Sequence, residues 1–427
     1  MTHWRIRGGE SLSGSVRVQG AKNAVLPILA ASVLTGCETE LQNCPRLRDV
    51  DASLSILRHL GCRAEWDGDT VYIDSRGVSG YTIPEKLMLQ MRSSVIFLGA
   101  ILGRCGCARL SMPGGCELGP RPVDLHLEAM RALGAHVECV DNVIDCAADG
   151  ASGLSGATGL TGAVIRLALP SVGATENAMI AACAAKGATV IENAAREPEI
   201  VDLAGYLRAL GADIDGDGGP VMTVRGFAPR AHVRYRVMPD RIAASTLLCA
   251  CACAGGDIEL TGVTPGHFAA VTDVLGAMGC RITPASDRVR IARSGRMRGG
   301  GTVITRPYPG FPTDAQPLLM AASLCADGTT VFVENIFENR FRQAAELRRL
   351  GALIRTEGRV AAVTGVKRLR GADVLAEDLR GGAALVTAAL GAEGETVVKD
   401  PGHIDRGYES LDGTLSRLGA HIEKYMN

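Results

Sequence analysis

The chain has 427 residues, of which 47% are hydrophobic and only 4% aromatic, and its formal net charge is −1 at pH 7. A chain of this length exceeds one ordinary hydrophobic core, so two or three domains are expected. The balanced charge gives no electrostatic reason to bind nucleic acid or an anionic membrane, and neither is an expected partner.

Apolar stretches and cysteines indicate where the protein works. The longest apolar stretches fall well short of the roughly 20 residues that cross a bilayer, and residues 1–14 contain no apolar segment resembling a signal peptide. Fourteen cysteines are scattered along the chain, several of them inside apolar runs, as is typical of buried thiols in a reducing compartment. We therefore expect a cytoplasmic protein. No cysteine pair with zinc-type spacing is completed by a second pair, so a metal site is not expected. No cofactor is expected either.

Six copies of one pattern follow one another along the chain. Each copy contains a Leu or Met, a Gly and a small residue in succession, and the glycines are Gly61, Gly134, Gly211, Gly279, Gly351 and Gly419. Their spacing of about 70 residues is longer than that of solenoid repeats. Each copy must therefore be a unit of several secondary-structure elements.

The elements also recur in the same order within each copy. A helix that is apolar on all faces comes first, and such a helix is buried. A short strand, an amphipathic helix ending at the repeated glycine and an alternating strand follow. The six buried helices are predicted at residues 24–34, 94–102, 174–185, 242–254, 315–324 and 383–390.

This order predicts an α/β fold in which sheets and amphipathic helices surround buried helices, an inside-out α/β barrel in two lobes of three units each. Residues 230–240 break the pattern between the third and fourth copies and mark the crossover. One lobe is predicted to comprise residues 22–238, and a discontinuous lobe residues 1–21 plus 239–427. The first strand, at residues 4–8, is expected to pair with the discontinuous lobe.

Most of the buried helices begin with charged or polar residues. A helix N-terminus favours bound anions, and added lysines and arginines favour phosphate or carboxylate groups. Alternatively, these side chains only cap and solvate the helix ends. The residues concerned are Lys22, Asn23, Arg92, Asp240, Arg241, Asp314, Asp378 and Arg380.

Residues 112–126, with the sequence MPGGCELGPRPVDLH, interrupt a repeat. Glycines on both sides of Cys116 present its thiol on a loop instead of packing it in the core. Arg121 would favour the reactive thiolate, whereas the adjacent Glu117 would oppose it. Cys116 is therefore a candidate nucleophile or proton donor.

Charged turns occupy equivalent positions in three copies, at residues 192–200, 337–341 and 403–410, the last of which contains Arg406. Such turns could line one cleft between the lobes that takes anionic substrates. They could equally be solvated turns without a function.

Seven motifs in succession make the chain resemble the enolpyruvyl transferases that act on UDP-N-acetylglucosamine. The resemblance covers essentially the whole chain. The motifs are GAKNAVLP from Gly20, PGGCELGPRPVDLH from Pro113, SVGAT from Ser171, ENAAREPEIVD from Glu192, FPTDAQ from Phe311, FENRF from Phe337 and HIDRGYE from His403.

The resemblance implies an inside-out α/β barrel whose two lobes close on ligand. It also implies transfer of the enolpyruvyl group of phosphoenolpyruvate to the 3′-hydroxyl of UDP-N-acetylglucosamine with release of phosphate, the first committed step of peptidoglycan synthesis. This addition and elimination needs an acid on one side and a base on the other, with cations around a tetrahedral intermediate.

The resemblance further implies roles for individual residues. Cys116 would protonate C3, form a covalent adduct and react with fosfomycin-type inhibitors. Asp314 would accept the proton of the 3′-hydroxyl or assist the later deprotonation. Lys22, Arg121 and Arg406 would hold the phosphate and carboxylate, and Asn23 and Arg92 would lie where both substrates meet. Nucleotide contacts would fall on Arg121, Pro122, Val123, Asp124, Leu125, Ser171, Val172, Gly173 and Ile336. Leu169 stands where some members of the family carry a lysine for the diphosphate.

Three other functions remain open. The shikimate-pathway enolpyruvyl transferase shares the architecture, but its first helix motif typically has a serine and an arginine near the lysine, unlike GAKNA here. A non-catalytic paralogue would bind UDP-N-acetylglucosamine only, which the joint presence of Cys116, Asp314, Lys22 and Arg406 disfavours. An RNA-end-processing cyclase built from related repeats is disfavoured by the absence of a basic charge balance.

Overall fold

The computed structural model describes residues 2–112, 123–149, 159–227 and 230–426. The chain forms two compact units. The first unit consists of the described residues between Gly20 and Met238, and the second unit of those in Met1–Gln19 and Pro239–Asn427. In the described ranges, no helix combines the length and hydropathy needed to span a membrane.

The two N-terminal strands, β1 (Thr2–Arg7) and β2 (Leu12–Arg17), belong to the second unit. Strand β1 pairs antiparallel with residues 395–399 on one side and with residues 421–426 on the other. Strand β2 runs parallel to residues 256–261. The predicted pairing of the first strand with the C-terminal half of the chain is confirmed.

The strands of the first unit form four-stranded sheets with one repeated topology. They are β3 (Glu38–Gln42), β4 (Arg63–Asp67), β5 (Thr70–Asp74), β6 (Thr82–Ile83), β7 (Cys107–Ser111), β8 (Ala135–Val140), β9 (Val143–Ala148), β10 (Val164–Arg166), β11 (Thr189–Glu192), β12 (Ala212–Asp215), β13 (Val221–Phe227) and β14 (His232–Arg236). The strand orders are β14-β3-β5-β4, β6-β7-β9-β8 and β10-β11-β13-β12. In each sheet the first pair is parallel and the others are antiparallel.

The helices of the first unit fall into a buried and an amphipathic set. They are α1 (Lys22–Ala31), α2 (Arg48–His59), α3 (Glu85–Met88), α4 (Phe97–Cys105), α5 (Asp124–Ala132), α6 (Val172–Cys183) and α7 (Pro198–Leu210), and a 3₁₀ helix, Arg92–Ile96, leads into α4. Helices α1, α4 and α6 are buried almost throughout, and α4 packs against both α1 and α6. Alanine and glycine make this close packing possible because they leave little side-chain volume between the helices.

The second unit repeats the topology of the first. Its further strands are β15 (Gly256–Thr261), β16 (Arg281–Pro284), β17 (Arg288–Arg293), β18 (Met297–Arg298), β19 (Gly301–Ile304), β20 (Ala326–Asp327), β21 (Thr329–Val333), β22 (Leu353–Glu357), β23 (Val360–Thr364), β24 (Leu369–Arg370), β25 (Asp373–Leu375), β26 (Ala392–Glu393), β27 (Glu395–Lys399) and β28 (His421–Met426). The four-stranded sheets have the orders β2-β15-β17-β16, β19-β21-β23-β22 and β25-β27-β1-β28, and β18 pairs with β20 and β24 with β26. In the first two of these sheets, the third position is filled by β17 or β23, which forms a hairpin with the strand just before it in the chain. In the last sheet, β1 takes this position.

The helices of the second unit also divide into buried and outer helices. They are α8 (Arg241–Ala254), α9 (Ala269–Ala277), α10 (Gln316–Ser323), α11 (Gln343–Arg349), α12 (Leu379–Leu390) and α13 (Leu411–Arg417), with 3₁₀ helices at Pro265–Phe268 and Pro401–Arg406. Helices α8, α10 and α12 pack against one another and are buried over nearly their whole length.

The α/β class and the six buried helices agree with the sequence prediction. All six repeated glycines have φ between 88° and 110°, a left-handed conformation that glycine adopts without steric cost. The predicted start of the last buried helix, at residue 383, is wrong, since α12 begins at Leu379. Two glycines at 381 and 382 disfavour a helix locally, but the Asp378 side chain caps this end by accepting two backbone hydrogen bonds.

Candidate functional site

Asp314 lies just before α10 and is held by two buried arginines. Arg340 Nη2 donates to Oδ1 at 2.8 Å, and Arg380 donates to Oδ2 from Nη2 at 3.2 Å and from Nε at 3.3 Å. The arginine side chains are 2% and 4% exposed, whereas the Asp314 side chain is 28% exposed. The carboxylate is therefore the accessible part of an otherwise buried ion-pair network.

The N-termini of the three buried helices of the second unit place their charges together. Asp240 and Asp378 cap α8 and α12, and each accepts hydrogen bonds from two backbone N–H groups. Arg380, the second residue of α12, interacts with both Asp314 and Asp240. Burial alone would lower the pKa of Arg380, but Tyr408, Asp314 and Asp240 together raise it above its ordinary value. The guanidinium is a permanent buried cation at this end of the helices.

Arg380 has capacity for a further anionic partner. Its Nη1 is buried and has no hydrogen-bond partner among the residues that the structure describes. The guanidinium carbon lies 5.4 Å from the centre of the Tyr408 ring, and the Tyr408 hydroxyl is 2.8 Å from the Thr246 hydroxyl. Arg406 ends the 3₁₀ helix two residues before Tyr408, and this helix packs against α12. The predicted anion contact Arg406 thus belongs to the segment that supports Arg380.

A buried carboxylate shapes the turn that contains Ile336. Glu334 Oε1 accepts hydrogen bonds from the backbone N–H of Ile336 at 2.8 Å and of Phe337 at 3.1 Å, and Oε2 accepts one from the Thr313 hydroxyl at 3.0 Å. Arg340 also donates to the Thr313 carbonyl. The turn with Ile336 is therefore tied to the residue that precedes Asp314.

Lys22, the first residue of α1, is paired with a protein carboxylate. Its Nζ lies 2.8 Å from Oδ2 of Asp49, in the first turn of α2, and the two side chains are 11% and 3% exposed. Asn23 follows and is half-buried. An anionic substrate at Lys22 would share the ammonium group with Asp49.

One amide side chain joins three segments of the first unit that carry predicted contacts. Asn177, in α6, accepts a hydrogen bond from Gly99 N at 2.8 Å and donates to Val95 O at 2.9 Å and to His126 Nδ1 at 2.7 Å. Val95 belongs to the 3₁₀ helix that begins at Arg92. A Cβ at Gly99 would lie 2.5 Å from the backbone carbonyl oxygen of Asn177, so only glycine permits this approach.

His126 connects the N-termini of α5 and α6. Its Cε1 would lie 3.0 Å from a Cβ at Gly173, so the stretch 123–125 that opens α5 lies beside the stretch 171–173 that opens α6. Ser171 caps α6 by accepting a hydrogen bond from Ala174 N at 3.4 Å. The structure therefore brings together two stretches that the sequence assigns to nucleotide binding.

The protonation state of His126 follows from its surroundings. Asn177 Nδ2 is a donor, because the same side chain accepts from Gly99 N and donates to Val95 O. The imidazole Nδ1 must then be an acceptor, which leaves the proton on Nε2. Burial lowers the pKa of His126 to about 4, so the ring is neutral at physiological pH.

The structure does not describe every predicted site residue. Cys116, Arg121 and Pro122 lie outside the described residues, and only the backbone of Arg92 is described. Leu169 is exposed.

Sequence reasoning did not assign roles to Arg340, Glu334, His126 and Asn177. Arg340 and His126 lie within the motifs FENRF and PGGCELGPRPVDLH, so these motifs already indicated two of the four residues. Asn177 is a lone amide in a strongly apolar helix, where a buried polar group needs partners. Only the fold shows which partners those are.

The described groups can hold anions and accept a proton. In the first unit, the ammonium group of Lys22 suits phosphate or carboxylate. In the second unit, buried guanidiniums suit the same groups, and Asp314 is a partly exposed carboxylate beside these guanidiniums. Across the described ranges, no group of three or more His, Cys, Asp or Glu side chains is placed to hold a metal ion.

Comparison with protein families finds one match over most of the chain. The family described as EPSP synthase (3-phosphoshikimate 1-carboxyvinyltransferase) matches residues 6–415. UDP-N-acetylglucosamine 1-carboxyvinyltransferase 2 of Caldanaerobacter subterraneus subsp. tengcongensis is 44% identical over 426 residues, 100% of each chain. UDP-N-acetylglucosamine 1-carboxyvinyltransferase 1 of Symbiobacterium thermophilum is 47% identical and covers 98% of this chain and 94% of its own.

Comparison with solved structures also finds similarity to an enolpyruvyl transferase and to an EPSP synthase. The enolpyruvyl transferase NikO from Streptomyces tendae superposes with a TM-score of 0.88 at 27% identity, covering 100% of this chain and 99% of that one. EPSP synthase from Acinetobacter baumannii superposes with a TM-score of 0.75 at 18% identity over 100% of both chains. The second similarity concerns the fold alone.

Proposed function

Because the chain belongs to the enolpyruvyl transferase family, in the branch of the UDP-N-acetylglucosamine 1-carboxyvinyltransferases, we propose that it transfers the enolpyruvyl group of phosphoenolpyruvate to the 3′-hydroxyl of UDP-N-acetylglucosamine. Phosphate is released, and the product enters peptidoglycan synthesis. The observation that carries this proposal is identity of 44% and 47% to relatives of that name over nearly the whole chain.

The reaction needs an acid and a base. In the addition, the 3′-hydroxyl oxygen attacks C2 of phosphoenolpyruvate, Cys116 gives a proton to C3, and Asp314 takes the hydroxyl proton. In the elimination, a base takes a proton from C3 as phosphate leaves C2, which restores the double bond, and Asp314 is the candidate for this base once it has released the hydroxyl proton to solvent. The partial exposure of Asp314 and the two arginines that fix its oxygens support the role of proton acceptor. Cys116 is also the proposed site of the covalent adduct and of fosfomycin-type inhibitors.

The tetrahedral intermediate carries a phosphate and a carboxylate, so it requires several cations. We assign Lys22, Arg121 and Arg406 to these anions, with Asn23 and Arg92 nearby. Arg380 joins this set because its Nη1 is buried without a partner in the described part of the chain. A buried donor left unsatisfied costs free energy that an anionic ligand would recover.

The nucleotide is assigned to the adjoining N-termini of α5 and α6, whose N–H groups favour the diphosphate. The close approach of His126 to Gly173 supports this assignment. The residues concerned are Arg121, Pro122, Val123, Asp124, Leu125, Ser171, Val172 and Gly173, together with Ile336.

The finer description of the fold belongs to the same proposal. Each unit is proposed to be an inside-out α/β barrel, and the two units to be the two lobes of the enzyme. Helices buried on all faces, with half-exposed sheets in the same unit, support the barrel. The cytoplasm is the proposed location, and the thirteen cysteines in the described ranges, all unpaired, are compatible with it.

The deciding experiment offers purified protein the two acceptors separately. With phosphoenolpyruvate and UDP-N-acetylglucosamine, we expect stoichiometric phosphate and a nucleotide sugar heavier by one enolpyruvyl group in the mass spectrum. Phosphate released only with shikimate 3-phosphate would assign the chain to the shikimate-pathway activity instead. Nucleotide binding without phosphate release from either acceptor would indicate a non-catalytic protein.

Two cysteine variants test the proposed acid. Cys116→Ser should lose turnover and labelling by fosfomycin while its thermal unfolding is unchanged. Cys139→Ser, which replaces an exposed cysteine of the first unit, should retain both properties. Wild-type turnover in the Cys116→Ser variant would remove Cys116 from the mechanism.

A further inference from the structure

Two cysteine sulfurs of the second unit lie in contact, away from the proposed active-site residues. Cys253, in the last turn of α8, and Cys325, two residues after the end of α10, have their Sγ atoms 3.5 Å apart. A disulfide needs a separation of about 2.05 Å, so the sulfurs must approach by roughly 1.5 Å. Cys253 is buried, and Cys325 is partly exposed.

The C-terminus of a third helix, α12, lies against this pair. A Cβ at Gly391, which follows α12, would lie 2.8 Å from Cys253 Sγ and 3.0 Å from Cys325 Sγ. The ends of α8, α10 and α12 therefore meet at the two sulfurs. The C-terminus of a helix carries a partial negative charge, which by itself would disfavour a thiolate at this position.

Two arginines counter that effect. Arg293 donates to the Cys253 carbonyl at 3.1 Å, and its buried Nε has no hydrogen-bond partner among the described residues. Arg296 donates to the carbonyl of Ala326, the neighbour of Cys325, at 3.1 Å.

The pKa values of the two thiols are shifted in opposite directions. The hydrogen bond with Cys253 lowers the pKa of Cys325, burial opposes this shift, and the charges of Arg293 and Arg296 add to it. The pKa of Cys253 is raised well above its usual value by the same hydrogen bond and by burial. Cys325 is thus the more acidic and the more exposed thiol of the pair, and Cys253 is the buried thiol beside it.

We propose that Cys253 and Cys325 form a reversible oxidation site that reacts with hydroperoxides. The Cys325 thiolate attacks the terminal peroxide oxygen, the O–O bond breaks, and Cys325 becomes a sulfenic acid as hydroxide or alkoxide leaves and takes a proton from solvent. Cys253 then attacks this sulfur, the S–O bond breaks, and the departing hydroxide takes the Cys253 proton to form water. The peroxide is reduced by two electrons and the two thiols are oxidised to one disulfide.

The neighbouring thiol of Cys253 limits how far Cys325 is oxidised. A sulfenic acid without a partner is oxidised further to sulfinic and sulfonic acids, which thiols do not reduce. Capture by Cys253 converts Cys325 into a disulfide that cellular thiols can reduce. The pair therefore protects a reactive thiolate from irreversible oxidation.

The test treats the reduced full-length protein with hydrogen peroxide, blocks remaining thiols and maps tryptic peptides without reduction. The sequence places Cys253 in peptide 242–281 and Cys325 in peptide 299–340. We expect these two peptides joined, lighter by two hydrogen atoms than their sum, with fragmentation locating the link at Cys253. Dithiothreitol should restore both thiols.

Single variants separate the two roles. Cys253→Ser should abolish the link and let Cys325 proceed to sulfenic acid, trapped by dimedone, and to sulfinic acid in excess peroxide. Cys249→Ser, which replaces a buried cysteine of the same helix, should still form the link. Arg296→Gln should slow the loss of the Cys325 thiol several-fold, with Arg296→Lys intermediate.

Two results would overturn the proposal. One is an intact Cys325 in wild-type protein after the exposed Cys139 has been oxidised. The other is sulfenic or sulfinic acid at Cys325 without a link to Cys253 in wild-type protein.

Discussion

Arg380 donates two hydrogen bonds to a single oxygen of Asp314, at 3.2 and 3.3 Å, from the second residue of α12 to the segment that opens α10. The other oxygen is held by Arg340. A carboxylate fixed at both oxygens loses little orientational freedom when a substrate hydroxyl binds, which favours proton transfer in a defined direction.

Replacing Asp314 by Asn should therefore affect turnover more than binding. Asparagine accepts no proton, so kcat should fall by about 10² to 10⁴-fold, while KM for both substrates changes less than about ten-fold. Steady-state phosphate release measures both constants. Asp373→Asn, which changes an exposed carboxylate paired with Lys399 in the same unit, is the matched control and should behave as wild type. A loss confined to KM would assign Asp314 to binding alone.

The contact between Lys22 and Asp49 predicts separable effects on folding and on turnover. Lys22→Met removes the ammonium group that lies 2.8 Å from the nearly buried Asp49 carboxylate, and the free energy of unfolding should fall by about 3 kcal/mol. The double variant Lys22→Met with Asp49→Asn should recover part of this stability in denaturant unfolding, because no uncompensated charge remains. Turnover should be at least about 100-fold lower in both variants that lack the lysine. If Asp49→Asn alone lost as much turnover, Asp49 would be needed for the reaction itself and not only for the stability of the pair.

The lowered pKa of His126 predicts that the folded protein loses stability at acidic pH. The pKa of this side chain is about 4 in the folded protein, because the ring is buried, and near 6.5 when unfolded. The neutral ring therefore contributes stability that is present above pH 6.5 and is lost as the pH falls toward 4. Protonation of Nδ1 would also place an N–H group against the Asn177 amide, so binding of UDP-N-acetylglucosamine should change little between pH 7 and pH 5 and should weaken below pH 5 as the ring becomes protonated.

Thermal unfolding and calorimetric binding between pH 4.5 and 8 test this prediction. His126→Gln should flatten both profiles over the acidic range. His136→Gln, at an exposed histidine of the same unit, should retain the wild-type profiles. An unchanged acidic slope in His126→Gln would contradict the assignment.

The repeated elements were predictable from sequence because their signals are local. Burial on all faces gives an apolar helix without periodicity, and a left-handed turn selects glycine, so the buried helices and the six turns were found. The pairing of β1 was anticipated only because no helix of its own copy precedes it. The start of α12 was missed, since Asp378 and tertiary packing overcome the weak helix propensity of Gly381 and Gly382.

The candidate site was less predictable, because its contacts join residues far apart in the chain. Lys22 and Asp314 were identified from motifs, but their partners Asp49, Arg340 and Arg380 depend on how helices pack. The role of Asn177 likewise depends on the approach of Gly99. Sequence motifs identify residues with chemical potential, whereas the partners that orient those residues follow only from the assembled fold.

Glu176 predicts a loss of stability in the opposite pH direction to that of His126. It lies on the same helix, α6, and its pKa is raised well above the ordinary value by burial and by the nearby Glu199 and Glu197. A carboxyl with a raised folded-state pKa binds its proton more tightly in the folded state. Its stabilising effect is complete below pH 4.5 and is lost as the pH rises through the folded-state pKa, by at most about 1.4 kcal/mol per pH unit.

Glu176→Gln mimics the protonated carboxyl and should remove this alkaline loss. Denaturant unfolding should show the variant more stable than wild type at pH 8 and nearly equal at pH 4.5. Glu138→Gln, at an exposed carboxylate of the first unit, is the control and should follow wild type. Because the stability loss through His126 occurs below pH 6.5 and that through Glu176 begins above pH 4.5, wild-type stability should pass through a maximum where the two opposing effects balance. Glu176→Gln should move that maximum to higher pH, and an unmoved maximum would show that Glu176 is ionised in the folded protein at little cost.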